Sequence, residues 1–147
     1  MEQEINTKTF RAQRAYPFTP AEIFAAFTDP NRLAKWWGPH GFSNTFEIFE
    51  FKNGGIWNFL MHAPNGSTYP NKCIFKDIQN NKKIVIEHVV QPYFTLTVDL
   101  EIEGRNTKLI WTQQFDDAKV AEAMRHIVVK ANEENLEKLN LNLIGKS

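Results

Sequence analysis

The stretch TPAEIFAAFTDPNRLAKWWGP, residues 19–39, decides the architecture. Thr19 is placed to cap a helix, Pro20 takes the first helical position where a missing N–H costs nothing, and Glu22 completes a capping box. Ile23, Phe24 and Phe27 follow at helical spacing. Thr28-Asp29-Pro30 stops this helix and starts another with the same device, Asp29 as cap and Pro30 behind it. The second helix, about 30–37, carries Leu33, Trp36 and Trp37 until Gly38-Pro39 breaks it. Two short helices joined by an immediate corner are expected to close one end of a larger layer.

That layer is legible on both sides of the stretch. Residues 9–16 read as a strand, and six strand-like runs follow at about 44–51, 55–62, 69–78, 83–90, 93–101 and 107–115. The punctuation between them includes Asn53-Gly54-Gly55, Pro64-Asn65-Gly66, Asn80-Asn81 and Gln91-Pro92, which is tight-turn chemistry and predicts an antiparallel meander. Alternation assigns the faces. Trp57, Phe59 and Met61 share one face; Phe94, Leu96, Val98 and Leu100 alternate with Thr95, Thr97, Asp99 and Glu101. Leu109, Trp111, Gln113 and Phe115 point one way, and Lys108, Thr112 and Gln114 the other.

A long helix follows, capped by Asp116 or Asp117 and running to about 143. Its expected apolar stripe is Val120, Met124, Ile127, Val128 and Ala131, continued by Leu136, Leu139 and Leu143. The predicted fold is therefore α+β: a curved seven-stranded antiparallel sheet gripping a long C-terminal helix, with two short helices between strands one and two. The whole chain, 1–147, reads as a single domain with its core at about 9–143, and the first eight residues and last three as frayed ends.

Composition excludes several classes of function. Lys and Arg number 17 against 17 Asp and Glu, so no global field favours nucleic acid or an anionic membrane. No apolar run approaches the ~18 residues that span a bilayer. The polar, acidic start is unlike an export signal, and the single cysteine, Cys73, fits a reducing compartment; a cytoplasmic location is expected. Aromatic residues are 13% of the chain, which suits either a dense core or an apolar ligand pocket.

The quoted stretch, together with Gly54-Gly55-Ile56-Trp57, Pro64-Asn65-Gly66 and Thr107-Lys108-Leu109, resembles the small bacterial homologues of the activator of heat-shock-protein-90 ATPase. These belong to the START/Bet v 1-like (SRPBCC) superfamily, and the resemblance implies its helix-grip fold over about 9–143. That superfamily includes lipid and hormone binders, polyketide cyclases and co-chaperones, so the fold does not choose among them. Members usually carry Gly-Trp in the last helix. Here the matching pair is Ala131-Asn132, which places an amide where an aromatic would meet the cavity.

The chain contains no phosphate-binding glycine loop, no His-Glu-x-x-His, no Cys-x-x-Cys and no Gly-x-Ser-x-Gly. Its four histidines, at 40, 62, 88 and 126, lack metal-ligand spacing, and no metal or cofactor is expected. His88 has the inward parity of Ile84 and Ile86, which suits either a general base or a hydrogen-bonded core histidine. Gln113 lies on the apolar face and needs partners, either a ligand or water and backbone. Trp36 and Trp37 are adjacent, so one is expected to plug the core and the other to line an opening or the surface.

The leading expectation is a binding module for a small apolar or aromatic molecule held between sheet and long helix. Its lining would be Trp36, Trp37, Trp57, Phe59, Met61, His88, Phe94, Trp111, Gln113, Ile127 and Asn132. The second expectation is a cyclase- or hydrolase-type enzyme using His88 or Gln113 on a carbonyl. A chaperone-interacting module ranks third, because a lone domain lacks the extra domain of the eukaryotic relatives. A homodimer is compatible with each reading.

Overall fold

The computed structural model describes residues 3–145. Both halves of the predicted capping box are present. Glu22 N–H donates to Thr19 Oγ1 at 3.1 Å, and Thr19 N–H to Glu22 Oε1 at 2.9 Å, which starts α1 (Pro20–Thr28). Asp29 then ends α1 and caps α2 (Pro30–Trp36) by accepting from Asn31 N–H at 2.9 Å. The buried faces are Ile23, Phe24, Ala26 and Phe27 on α1, and Leu33 and Trp36 on α2.

The strands are β1 (Glu4–Asn6), β2 (Thr9–Tyr16), β3 (Ser43–Phe49), β4 (Ile56–His62), β5 (Thr68–Gln79), β6 (Lys83–His88), β7 (Phe94–Glu103) and β8 (Asn106–Phe115). Among the described residues they form one antiparallel sheet in the order β1-β2-β8-β7-β6-β5-β4-β3. The meander from β3 to β8 is the predicted one. Residues 17–42 carry α1 and α2 across the sheet, so that β2 pairs with β8 while β3 lies at the far edge. Gly55 closes the β3–β4 connection by necessity: a Cβ there would lie 1.9 Å from the Glu50 carbonyl oxygen.

The sheet has eight strands rather than the expected seven. The extra strand, β1, pairs with the start of β2 within a segment read as frayed, and Gln3 just before it is 2% exposed. Short polar segments carry no hydrophobic signal, so nothing in its composition announces it. The expected fraying of Lys146 and Ser147, and of residues 1–2, lies outside the described residues.

The last helix, α3 (Ala118–Gly145), packs on the inner face of the sheet. Its buried residues are Ala121, Val128, Asn132, Asn135, Leu136, Leu139, Asn142 and Leu143. The helix is turned relative to the expected stripe: Ile127 is 66% exposed and does not line the interior, as had been expected of it. Three asparagines take inward positions instead, each tied to another element. Asn142 Oδ1 accepts from Arg32 at 3.0 and 3.1 Å. Asn135 Nδ2 donates to the Trp36 carbonyl at 2.9 Å, while its Oδ1 accepts from Gly38 N–H at 3.2 Å. Asn132 reaches β8. Paired in this way, the amides avoid the ~1–3 kcal/mol that burying an unmade hydrogen bond costs.

The core falls into two clusters. The larger joins α1, α2 and the inner face of β4–β8 to Leu136, Leu139 and Leu143 of α3. The smaller joins Phe10 and Phe115 to Ala121 and Val128, and Phe94 packs against both.

Candidate functional site

Several inward-facing groups are not sealed, and one set of them lies near Phe94, which packs against both clusters. Trp57, Phe75, Ile86 and Leu96 are at most 2% exposed. Trp37, Met61, Asn71, Phe94 and Gln113 share the inner face or its rim yet are only half-buried. They form a connected ring. The Trp37 and Trp111 centroids lie 5.5 Å apart, and Gln113 follows Trp111 on the same face of β8. Phe94 is opposite Phe115 and so diagonal to Gln113. The His88 imidazole stacks on Phe94 at 4.6 Å with 14° between planes, and Asn71 bonds His88. Met61 lies diagonal to Asn71 across β4 and β5, and its Cε approaches Gly38, the residue after Trp37, which closes the circuit.

Local chemistry positions Trp37. It ends α2 and its carbonyl accepts from Asn44 Nδ2 at 2.9 Å. The following turn is held to α3 by the Asn135 bond to Gly38 and by Lys138 Nζ donating to the Pro39 carbonyl at 3.2 Å. Burial lowers the Lys138 pKa, against the raising effect of Glu134. Gly38 needs its positive φ of 96°, and a side chain there would also press on Met61 Cε.

One of the two adjacent tryptophans plugs the core, as expected, and the other is half-buried. Trp36 is 1% exposed and donates Nε1–H to the Ala26 carbonyl at 3.0 Å. Trp37 leans over Trp57 at 4.9 Å. Trp57 is packed between Phe59 and Phe75, stacked at 4.4 and 5.7 Å. Its Nε1 has no hydrogen-bond partner among the described residues. Trp37, Phe46 and Phe49 stand at 68–86° to its ring, an arrangement suited to N–H···π contact. Trp36, Trp57 and Phe59 thus form the wall behind the ring.

His88 and Cys73, on the inner face of the sheet, are both buried. His88 Nδ1–H donates to the Pro92 carbonyl at 2.7 Å and Nε2 lies 2.8 Å from the Asn71 carboxamide, so both nitrogens face protein groups. Burial lowers its pKa, opposed by hydrogen bonds from the imidazole to the Pro92 and Val90 backbone. Burial pushes the Cys73 thiol up to about 12, which makes it a hydrophobe at neutral pH. Among the described residues, no cluster of three or more His, Cys, Asp and Glu side chains could hold a metal.

Asn132 departs from its expected role of orienting a ligand. Its Oδ1 accepts from Trp111 Nε1–H at 3.2 Å, and its Nδ2 donates to Gln3 Oε1 at 3.2 Å. Gln3 in turn donates to the Val129 carbonyl at 2.9 Å and to Glu133 at 3.0 Å. A groove of about 460 Å³ runs beside this chain of bonds, lined by Gln3, Glu4, Arg125, Val129 and Glu133 among others, on the flank where β1 meets α3. The amide is a structural link rather than a free polar group. Sequence reasoning missed Asn71, which carries no apolar or motif signal and matters only because β5 sets it beside His88.

Residues 17–143 match the model of the family described as Activator of Hsp90 ATPase homolog 1-like protein. The chain belongs to this family. Its fold agrees with that of solved relatives. A protein of Arthrobacter aurescens superposes with a TM-score of 0.88 at 21% identity, covering 98% of this chain and 90% of that one. A protein of Nitrosomonas europaea gives 0.86 at 16%, covering 98% and 99%. The AHSA1 protein of Silicibacter pomeroyi gives 0.76 at 19%, covering 95% and 99%. No curated protein matches the sequence. The Activator of Hsp90 ATPase homolog 1-like fold is a ligand-binding scaffold of the SRPBCC, Bet v 1-like superfamily. Among the described residues of this member, no helix is long and apolar enough to cross a membrane.

Proposed function

We propose that this family member binds a small apolar or aromatic molecule between the sheet and α3, at the ring of Trp37, Met61, Asn71, His88, Phe94, Trp111 and Gln113. One observation carries the reading: Trp37, Met61, Asn71, Phe94 and Gln113 are half-buried around the buried His88 and Trp111, while Trp57, Phe75, Ile86 and Leu96 behind them are sealed. Large aromatic faces with few convergent polar groups are the usual make-up of a small-molecule site. A catalytic reading through His88 is less favoured, because both of its nitrogens already have protein partners.

Native mass spectrometry of gently purified full-length protein tests the proposal. The expected result is a mass above that of the chain alone, lost on denaturation, or an equivalent complex after addition of 1-anilinonaphthalene-8-sulfonate. The adduct should weaken in Trp37→Ala. A chain that takes up neither a co-purified molecule nor the probe would overturn the reading, and the same spectrum reports whether the protein is a monomer or a homodimer.

A further inference from the structure

We infer that Gln113 is the polar anchor of this site, and that the ligand is a flat ring bearing an acceptor and a donor side by side, as in a primary carboxamide or a lactam. The inference rests on the binding reading above and follows from counting the polar groups that the ring offers.

The protein itself satisfies the other polar groups. Both nitrogens of His88 face protein groups, Nδ1 the Pro92 carbonyl and Nε2 the Asn71 carboxamide. The Trp111 N–H is taken by Asn132, whose own Nδ2 is taken by Gln3. Gln113 differs: its carboxamide makes no hydrogen bond to any described residue. Yet it stands on the inner face of β8 between Trp111 and Phe115, flanked by Leu96 on β7 and Phe10 on β2, all four buried.

The polar atoms of Gln113 are not among the buried unpartnered ones of the described residues, so water can pair with them in the free protein. A ligand that covers this half-buried amide must replace those hydrogen bonds or leave it unpaired at a cost. A primary carboxamide presents one C=O acceptor and an NH₂ donor in one plane. The group that satisfies both at once is another amide edge, through two parallel hydrogen bonds. The Trp37, Trp111 and Phe94 rings supply the surfaces that a flat aromatic body attached to that edge would cover. A wholly apolar ligand would instead strand the Gln113 amide away from water.

Two matched probes test this on the full chain, naphthalene and 2-naphthamide, titrated against intrinsic tryptophan fluorescence. Two neutral hydrogen bonds predict that 2-naphthamide binds about tenfold or more tightly than naphthalene. Gln113→Leu should erase that preference while keeping naphthalene affinity, and the near-isosteric Gln113→Met should do the same, with urea midpoints confirming that both variants fold. Equal binding of the two probes by the wild type, or a preference that survives in either variant, overturns the role of Gln113 while leaving the pocket standing. Failure of both probes to bind removes the pocket reading and this inference with it.

Discussion

Trp111 on β8 donates its indole N–H to the Asn132 amide on α3 at 3.2 Å, and through Asn132 the bond continues to Gln3 ahead of β1. Three parts of the chain, two of them 21 residues apart and the third 129 residues from Asn132, thus meet at one buried amide. Replacing Asn132 by Leu leaves both the Trp111 N–H and the Gln3 carbonyl oxygen without this partner. The expected loss is about 1–3 kcal/mol in urea unfolding. In a double-mutant cycle with Trp111→Phe, the coupling should be about 0.5–3 kcal/mol, and a coupling of zero would mean that the bond does not form.

Gln3 extends the same chain of bonds to the Val129 carbonyl and Glu133. Gln3→Ala is therefore expected to destabilise the fold by about 1–3 kcal/mol, although it lies only three residues from the start of the sequence. Chemical denaturation measures it. An unchanged midpoint would return this segment to the fraying expected of it.

Trp57 and Trp111 are at most 3% exposed; Trp57 is surrounded by other rings, and Trp111 packs on Trp37. Truncation of either to Ala should cost about 3–5 kcal/mol. Trp37→Ala, at a half-buried position, should cost less and show its main effect on probe binding. Equal losses at all three positions would place Trp37 in the packed core.

Burial holds the His88 imidazole below its ordinary value of 6.5, so the unfolded chain takes up a proton that the folded chain resists. Stability from this source is complete above pH 6.5 and falls as the pH drops through the lowered folded pKa. Urea midpoints at pH 7 and pH 5 should differ more for the wild type than for His88→Gln. A pH dependence identical in the two proteins would assign it to other groups.

At the alkaline end, the Cys73 thiol is raised to about 12 by burial, and the Tyr16 hydroxyl, which donates to the Leu136 carbonyl at 2.8 Å, is raised above its ordinary range mainly by burial. The folded state retains these protons while the unfolded state releases them, so stability should decline as the pH rises above about 9. Cys73 should also resist maleimide in the folded protein and react once urea unfolds it. Rapid labelling of the native chain would contradict its burial.

Much of the fold was readable because its signals are local. Thr19 with Glu22, and Asp29 with Pro30, make their hydrogen bonds within one helical turn, so the two short helices follow from neighbouring residues alone. Alternation over Phe94–Leu100 and Leu109–Phe115 likewise reports the buried face, because side chains of a strand point to opposite sides in turn. The inward placement of His88 and Gln113 was legible for the same reason.

The rotation of α3 and the pairing of buried polar groups were decided only by the tertiary structure. Periodicity counts apolar residues, and on that count Ile127 belongs inside and Asn135 and Asn142 do not. The fold reverses both, because Trp36, Gly38 and Arg32 come within hydrogen-bonding distance of those amides and make their burial tolerable. The same holds for Asn71 beside His88 and for Gln3 beside Asn132, whose partners lie 17 and 129 residues away. A sequence determines where a chain turns and which face of each element is apolar, since both arise between near neighbours. Which polar groups are satisfied, and which are not, depends on distances that exist only after distant segments have packed.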